Sequence, residues 1–127
     1  MATPFLAGAL TLLLFDRVAG TTFFLPSEGG DVLLWQNIFW FYSHPAVYIM
    51  VLPLMGVLSE VLSIHSRKPV FGYRMIAMSS MAIALIGFTV WAHHMFTSLQ
   101  PALRIPFMIT TMIIAVPTGI KIFSWLG

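Results

Sequence analysis

Apolar residues in this chain run in long blocks with hardly a charge inside them, and that pattern excludes most folds before any motif is considered. Of its 127 residues, 59% are hydrophobic and 8% are charged, whereas a soluble domain carries roughly a quarter of its residues as Asp, Glu, Lys or Arg. Such blocks are the mark of membrane spans. Lipid offers no water to satisfy open backbone groups, so each block is expected to be helical. The absence of cysteine removes both a disulfide framework and a thiolate metal site. A formal surplus of two positive charges is too small to point to nucleic acid. Met1 is followed by Ala-Thr-Pro-Phe rather than a basic stretch, so a cleaved signal peptide is not expected.

Four spans are predicted: about Pro4 to Phe15, Leu33 to Ile64, Tyr73 to Met95, and Pro106 to Trp125. The first is short, as if its beginning had been cut away, and the second is longer than a bilayer needs, hence tilted or protruding. Gly29 to Asp31 and Arg67 to Pro69 are the clearest connectors. Arg67, Lys68 and Arg74 cluster at the second connector, against only Arg17 and Arg104 at the first and third. The positive-inside rule therefore places the second connector in the cytoplasm. Asp16, Arg17, Glu28 and Asp31 form an outer, solvated loop, and the nine Met and eleven Phe are lipid-facing or packing residues. The chain ends at Ser-Trp-Leu-Gly just after a span, and the polar groups within the spans outnumber their partners. Both features lead us to expect an internal segment of a larger all-α membrane bundle, with Met1 not a natural start.

An ionisable group inside a span costs about 2.5–3.5 kcal/mol on insertion scales and marks function by default. His44 and Tyr48 are four apart and share one helical face, which continues through Met55 and Ser59 over roughly 22 Å. Pro45 and Pro53 weaken the ladder of that helix and let it bend. A lone His in an interhelical hydrogen bond, beside a Tyr of the interfacial belt, would explain this much. His93 and His94 add a constraint. Neighbouring helical residues diverge by about 100°, so the pair reaches one ion only near a helix end and with a third ligand from elsewhere. His44 is the only candidate at that depth, because His65 lies at the opposite side. Three neutral imidazoles with an open position suit copper or zinc. Lys121 follows Thr118 by three and Thr111 by ten. It either snorkels to the cytoplasmic headgroups or relays protons, and spacing alone does not separate the two. Glu60 marks a solvated helix end or the mouth of a proton path.

The strings Trp40-Phe41-Tyr42-Ser43-His44-Pro45-Ala46-Val47-Tyr48, Trp91-Ala92-His93-His94-Met95-Phe96-Thr97 and Ile113-Ile114-Ala115-Val116-Pro117-Thr118-Gly119-Ile120-Lys121 resemble the sixth, seventh and eighth transmembrane helices of subunit I of the haem-copper oxidases. Phe15-Asp16-Arg17 and Thr21-Thr22-Phe23-Phe24 are similar to the loop after the fifth. The likeness covers essentially the whole chain, in order. It implies four transmembrane helices of a twelve-helix bundle, in a terminal cytochrome c oxidase that reduces O2 to water and pumps protons. It also implies that His44, His93 and His94 bind the copper (copper B) facing a high-spin a-type haem. Tyr48 would be joined covalently to His44 and donate a proton and an electron. Ser59, Thr118 and Lys121 would line the proton channel that ends at Tyr48. The protein ligands of that haem and of a low-spin haem would come from helices outside this chain. The implied partners are the rest of subunit I, subunits II and III, cytochrome c or quinol, O2 and membrane lipid, with the bacterial inner membrane as location.

Ala46 stands where many members of that family keep a channel-gating glutamate, and Tyr42-Ser43 resembles the A-type subgroup in which a Tyr-Ser pair replaces it. Tyr42 is four before Ala46, so its hydroxyl can occupy nearby space. Ser98-Leu99-Gln100-Pro101 departs from the commoner glycine-containing loop. Competing expectations are a quinol oxidase of the same superfamily, a nitric oxide reductase, against which Tyr48 and Lys121 argue, and a non-enzymatic membrane protein that binds copper. A purely structural bundle leaves the His-His pair and Lys121 without a role.

Overall fold

A computed structural model describes residues 2–127. Five α-helices follow one another: α1 (Thr3–Val18), α2 (Val32–Ser66), α3 (Tyr73–Ile86), α4 (Pro101–Ile113) and α5 (Ala115–Leu126), with 3-10 turns at Pro26–Glu28, Gly87–Thr89 and Trp91–Met95. Among the described residues there is no strand.

α2 has 35 residues, about 52 Å at 1.5 Å each, well beyond a hydrocarbon core of about 30 Å. Asp31 caps its start by accepting from the Leu33 amide at 2.7 Å, and Arg67 ends it in the left-handed region at φ 54°. Pro45 and Pro53 sit inside without dividing it. The fourth apolar stretch behaves differently. It is helical from Pro101 but breaks at Ile114, between α4 and α5. Pro117 explains the position: its ring clashes with the carbonyl four residues back, at Ile113, and it has no N–H to offer there. The third stretch is α-helical only as far as Ile86, then tightens into 3-10 geometry through Met95. α2, and α4 with α5 taken together (Pro101–Leu126), are long and apolar enough to cross a membrane, while Tyr73–Thr89 is a shorter apolar helix.

Little of the apolar surface is covered. Among the described residues nine hydrophobic ones are buried, whereas large ones such as Val18 (79% exposed) and Phe123 (74%) face outward. For a chain this apolar, lipid or further helices must cover those surfaces. What is buried positions the polar groups. Ala92, Met95 and Leu99 pack with Leu33, Trp40, Trp91 and Phe107, which seats the 3-10 segment between α2 and α4. The Trp91 indole donates to Asn37 Oδ1 at 3.2 Å and fixes that seat. Along α3, Ile76, Ser79, Ile83 and Gly87 are buried, a stripe at helical spacing that meets α2 and α5.

Candidate metal centre

Two elements deliver the three imidazoles. His44 comes from the middle of α2, where it is 5% exposed. His93 and His94 come from the 3-10 segment that follows α3. The tightening of the chain after Ile86 is what lets adjacent residues serve one point, since the pair lies beyond the α-helix end rather than within it. His44 Nδ1 is 3.0 Å from His94 Nε2, and His93 Nε2 is 3.0 Å from the same atom. One nitrogen from each ring lies within 4.8 Å of the others.

Hydrogen bonding around the cluster indicates which nitrogens carry protons. The Thr111 hydroxyl donates to the Phe107 carbonyl at 2.6 Å. Its oxygen therefore accepts from His93 Nδ1, 3.1 Å away. A neutral His93 then has its lone pair on Nε2, the atom aimed at the cluster. This is how a neighbour orients a metal-binding imidazole. Trp40 stacks on His94 with ring centroids 3.8 Å apart and planes within 7°, which fixes the second ring. On His44, the other nitrogen, Nε2, is buried and has no hydrogen-bond partner. Tyr48 meets that imidazole edge-on at 4.3 Å. Three nitrogens converging without enough protons to satisfy one another, and no sulfur or carboxylate among them, fit a copper or zinc ion.

The remaining expected residues divide. Tyr48 is half-buried against α3, where a Cβ at Gly87 would come within 3.0 Å of its Cδ2. Lys121 is buried, and its Nζ donates to Ser80 Oγ at 2.6 Å; it does not snorkel outward. Thr118 gives its proton to the Ile114 carbonyl at 3.0 Å, and Ser59 gives its own to Met55 at 2.9 Å. Ser59 also accepts from the Trp125 indole at 2.9 Å. Ser59, Thr118 and Lys121 thus bond to their own helices or to other partners, rather than to one another. Tyr42 and Ser43 immediately precede His44 on α2 and are half-buried. Sequence reasoning gave no role to Trp40, Gly87 or Ser80, and Thr111 entered it only as part of a loose stripe. Trp40, four residues before His44, was within reach of a spacing argument.

Comparison with known proteins adds three relatives and a family. A family model described as cytochrome c and quinol oxidase polypeptide I matches residues 1–127. The chain is 66% identical over 128 residues to cytochrome c oxidase subunit 1 of Synechocystis, 58% to that of Thermostichus vulcanus and 55% to that of Cereibacter sphaeroides. Each match covers 100% of this chain and 23% of the relative. The chain therefore spans about a quarter of the length of the curated relatives it matches.

Proposed function

The chain belongs to the cytochrome c and quinol oxidase polypeptide I family of membrane proteins, and from that premise we propose that it is the copper-holding segment of a terminal respiratory oxidase. The observation that carries this reading is the convergence of His44 Nδ1, His93 Nε2 and His94 Nε2 at 3.0 Å spacings. These three atoms would hold copper B opposite a high-spin haem whose protein ligands lie outside this chain. Metal and haem together would supply electrons and a binding place for O2 on its way to water.

The chain's own residues do the rest. Thr111 and Trp40 hold two of the rings in place, so binding costs little reorganisation. Tyr48 stands beside His44, and its hydroxyl would supply a phenolic proton and electron for oxygen cleavage. The unpartnered Nε2 of His44 supports a covalent bond to the Tyr48 ring. Forming it removes one N–H and one C–H hydrogen as two protons, with two electrons passing to oxygen. Lys121 and Thr118, with Ser59 nearer the cytoplasmic end, form the proton path to Tyr48, and Tyr42-Ser43 takes the place of the missing carboxylate beside Ala46.

In the whole oxidase this segment contributes four of twelve transmembrane helices, with the basic connector at Arg67–Lys68 on the cytoplasmic face of a bacterial inner membrane. Subunits II and III are its partners, and turnover is coupled to proton pumping. Cytochrome c is the electron donor, in line with the names of the relatives; quinol is the alternative, since the family description spans both.

The test is made on the complete purified oxidase. His44→Ala is expected to lose its copper while keeping the haem spectrum, with turnover lost. In the unsubstituted enzyme, the peptide holding His44 and Tyr48 should be lighter by two hydrogens than its sequence requires. Copper without any haem spectrum would instead identify a non-enzymatic copper-binding protein.

A further inference from the structure

Lys121 is 2% exposed, so its amine is enclosed by this chain's own helices. Burying an ammonium demands compensation from polar neighbours. Its recorded hydrogen bond is to Ser80 Oγ on α3, at 2.6 Å. The Ser80 hydroxyl sends its single proton to the Ile76 carbonyl at 2.9 Å. That commitment leaves the oxygen lone pairs turned to Nζ. Ser79 donates to the same carbonyl at 2.8 Å, so two hydroxyls share one acceptor and the local geometry is held from both sides.

Position along the seam gives the contact its meaning. Ser80 on α3 and Gly87, the C-cap that ends it, are seven residues, two turns, apart on one side, roughly 10 Å along the axis. Gly87 is where the Tyr48 ring touches α3. On α5, Trp125 lies one turn beyond Lys121 and bonds Ser59 of α2. The amine is therefore held between the Tyr48 level and the Ser59 level.

We propose that Ser80 is a positioning residue for Lys121, holding Nζ at the α3–α5 seam as the station between the Ser59 end and Tyr48. This deepens the proton-path reading and rests on it. Nζ gives up a proton toward Tyr48, becomes a neutral amine and regains a proton from the Ser59 side. Ser80 returns it to the same place each time.

The experiment uses the complete oxidase and follows anaerobic reduction of the haem facing copper, by absorbance, with haem and copper content confirming assembly. Ser80→Ala is expected to slow that reduction on the order of tenfold, the size of one lost hydrogen bond to a charged group. Ser80→Thr, which keeps the hydroxyl, restores the rate. In a Lys121→Met background, already slow, Ser80→Ala adds nothing. Should alanine fail to assemble, Ser80→Cys, of similar volume and a weaker acceptor, is read in the same way. An unchanged rate in Ser80→Ala with Lys121→Met slow overturns the role of Ser80 alone. So does failed rescue by Thr, or a Ser80 effect that persists without the lysine. A normal rate in Lys121→Met overturns the proton path itself, and the inference with it.

Discussion

At one end of α3, three imidazoles face one another across 3.0 Å gaps; further back on the same helix, a single ammonium leans on one serine. Both are polar sites in an apolar chain, but they meet the cost of burial differently. Imidazoles can be neutral, and His93 is aimed at the cluster by Thr111, while Trp40 fixes the His94 ring. The cluster distributes its constraints over α2, the 3-10 segment and α4. Lys121 concentrates its own on one hydroxyl. A distributed site should weaken in steps as supports are removed, and a concentrated one should fail with a single atom.

The sharpest test of the first half is Thr111→Val, which keeps the shape and removes the oxygen that fixes the His93 tautomer. Loss of such a support costs about 10–100-fold in metal affinity, and competition for copper against a chelator in the complete oxidase measures it. Thr111→Ser should bind as the unsubstituted protein does. If valine leaves copper affinity untouched, the cluster is self-sufficient and the contrast with Lys121 is wider than drawn.

Thr111 also illustrates what was legible beforehand. Helical spacing joins residues on one element, so His44 with Tyr48, and the Thr111–Thr118–Lys121 stripe, could be read from the sequence. The His93–His94 pair could be read as needing a helix end and a third ring. What spacing does not carry is a contact made across elements: His93 to Thr111 spans 18 residues and Lys121 to Ser80 spans 41. The four predicted stretches overlap α1 through α5 without matching their bounds, and neither the unwinding after Ile86 nor the break at Ile114 follows from helical spacing. The second follows from Pro117, a proline of the kind α2 absorbs twice without dividing. Its effect depends on packing that the sequence does not display.

Gly87 connects the two sites, because the chain passes the Tyr48 ring there, at the end of α3. Its backbone is ordinary helix, φ −54° and ψ −24°, so alanine there would gain about 0.5–1 kcal/mol in backbone entropy. Against that, the added Cβ would stand 3.0 Å from Cδ2 and 3.3 Å from Cε2 of Tyr48. The ring must shift by a few tenths of an ångström, into the cavity it lines with Pro45, Leu52 and Phe88, and overpacking of this kind costs about 1–3 kcal/mol. The clash wins. Gly87→Ala should lower thermal stability by up to about 2 kcal/mol and leave copper content unchanged, since the three atoms nearest the added Cβ all belong to Tyr48. Loss of copper in this variant would mean that Tyr48 and the cluster move as one body.

The smallest effect is expected in the loop after α1, where a polar cluster stands largely in water. Asp16 accepts from the Thr21 hydroxyl at 2.6 Å and from the Phe23 and Phe24 amides at 2.9 Å each. Desolvation pushes its carboxyl up, yet the bonds from Thr21, Phe24 and Phe23 together hold it below the ordinary carboxylate value. A carboxyl whose folded value is depressed lends its stabilisation above the unfolded pKa and loses it as pH falls through the folded one. Loop order should therefore persist at neutral pH and fade only in acid, below the usual carboxylate range. Asp16→Asn removes the charge while keeping the size. Hydrogen exchange should then quicken at Phe23 and Phe24, with copper content and the anaerobic reduction rate unaltered. These bonds join Asp16 to Thr21, Phe23 and Phe24 alone, so a fall in either quantity would show that the outer loop supports the buried sites as well, and the two-site contrast would need a third member.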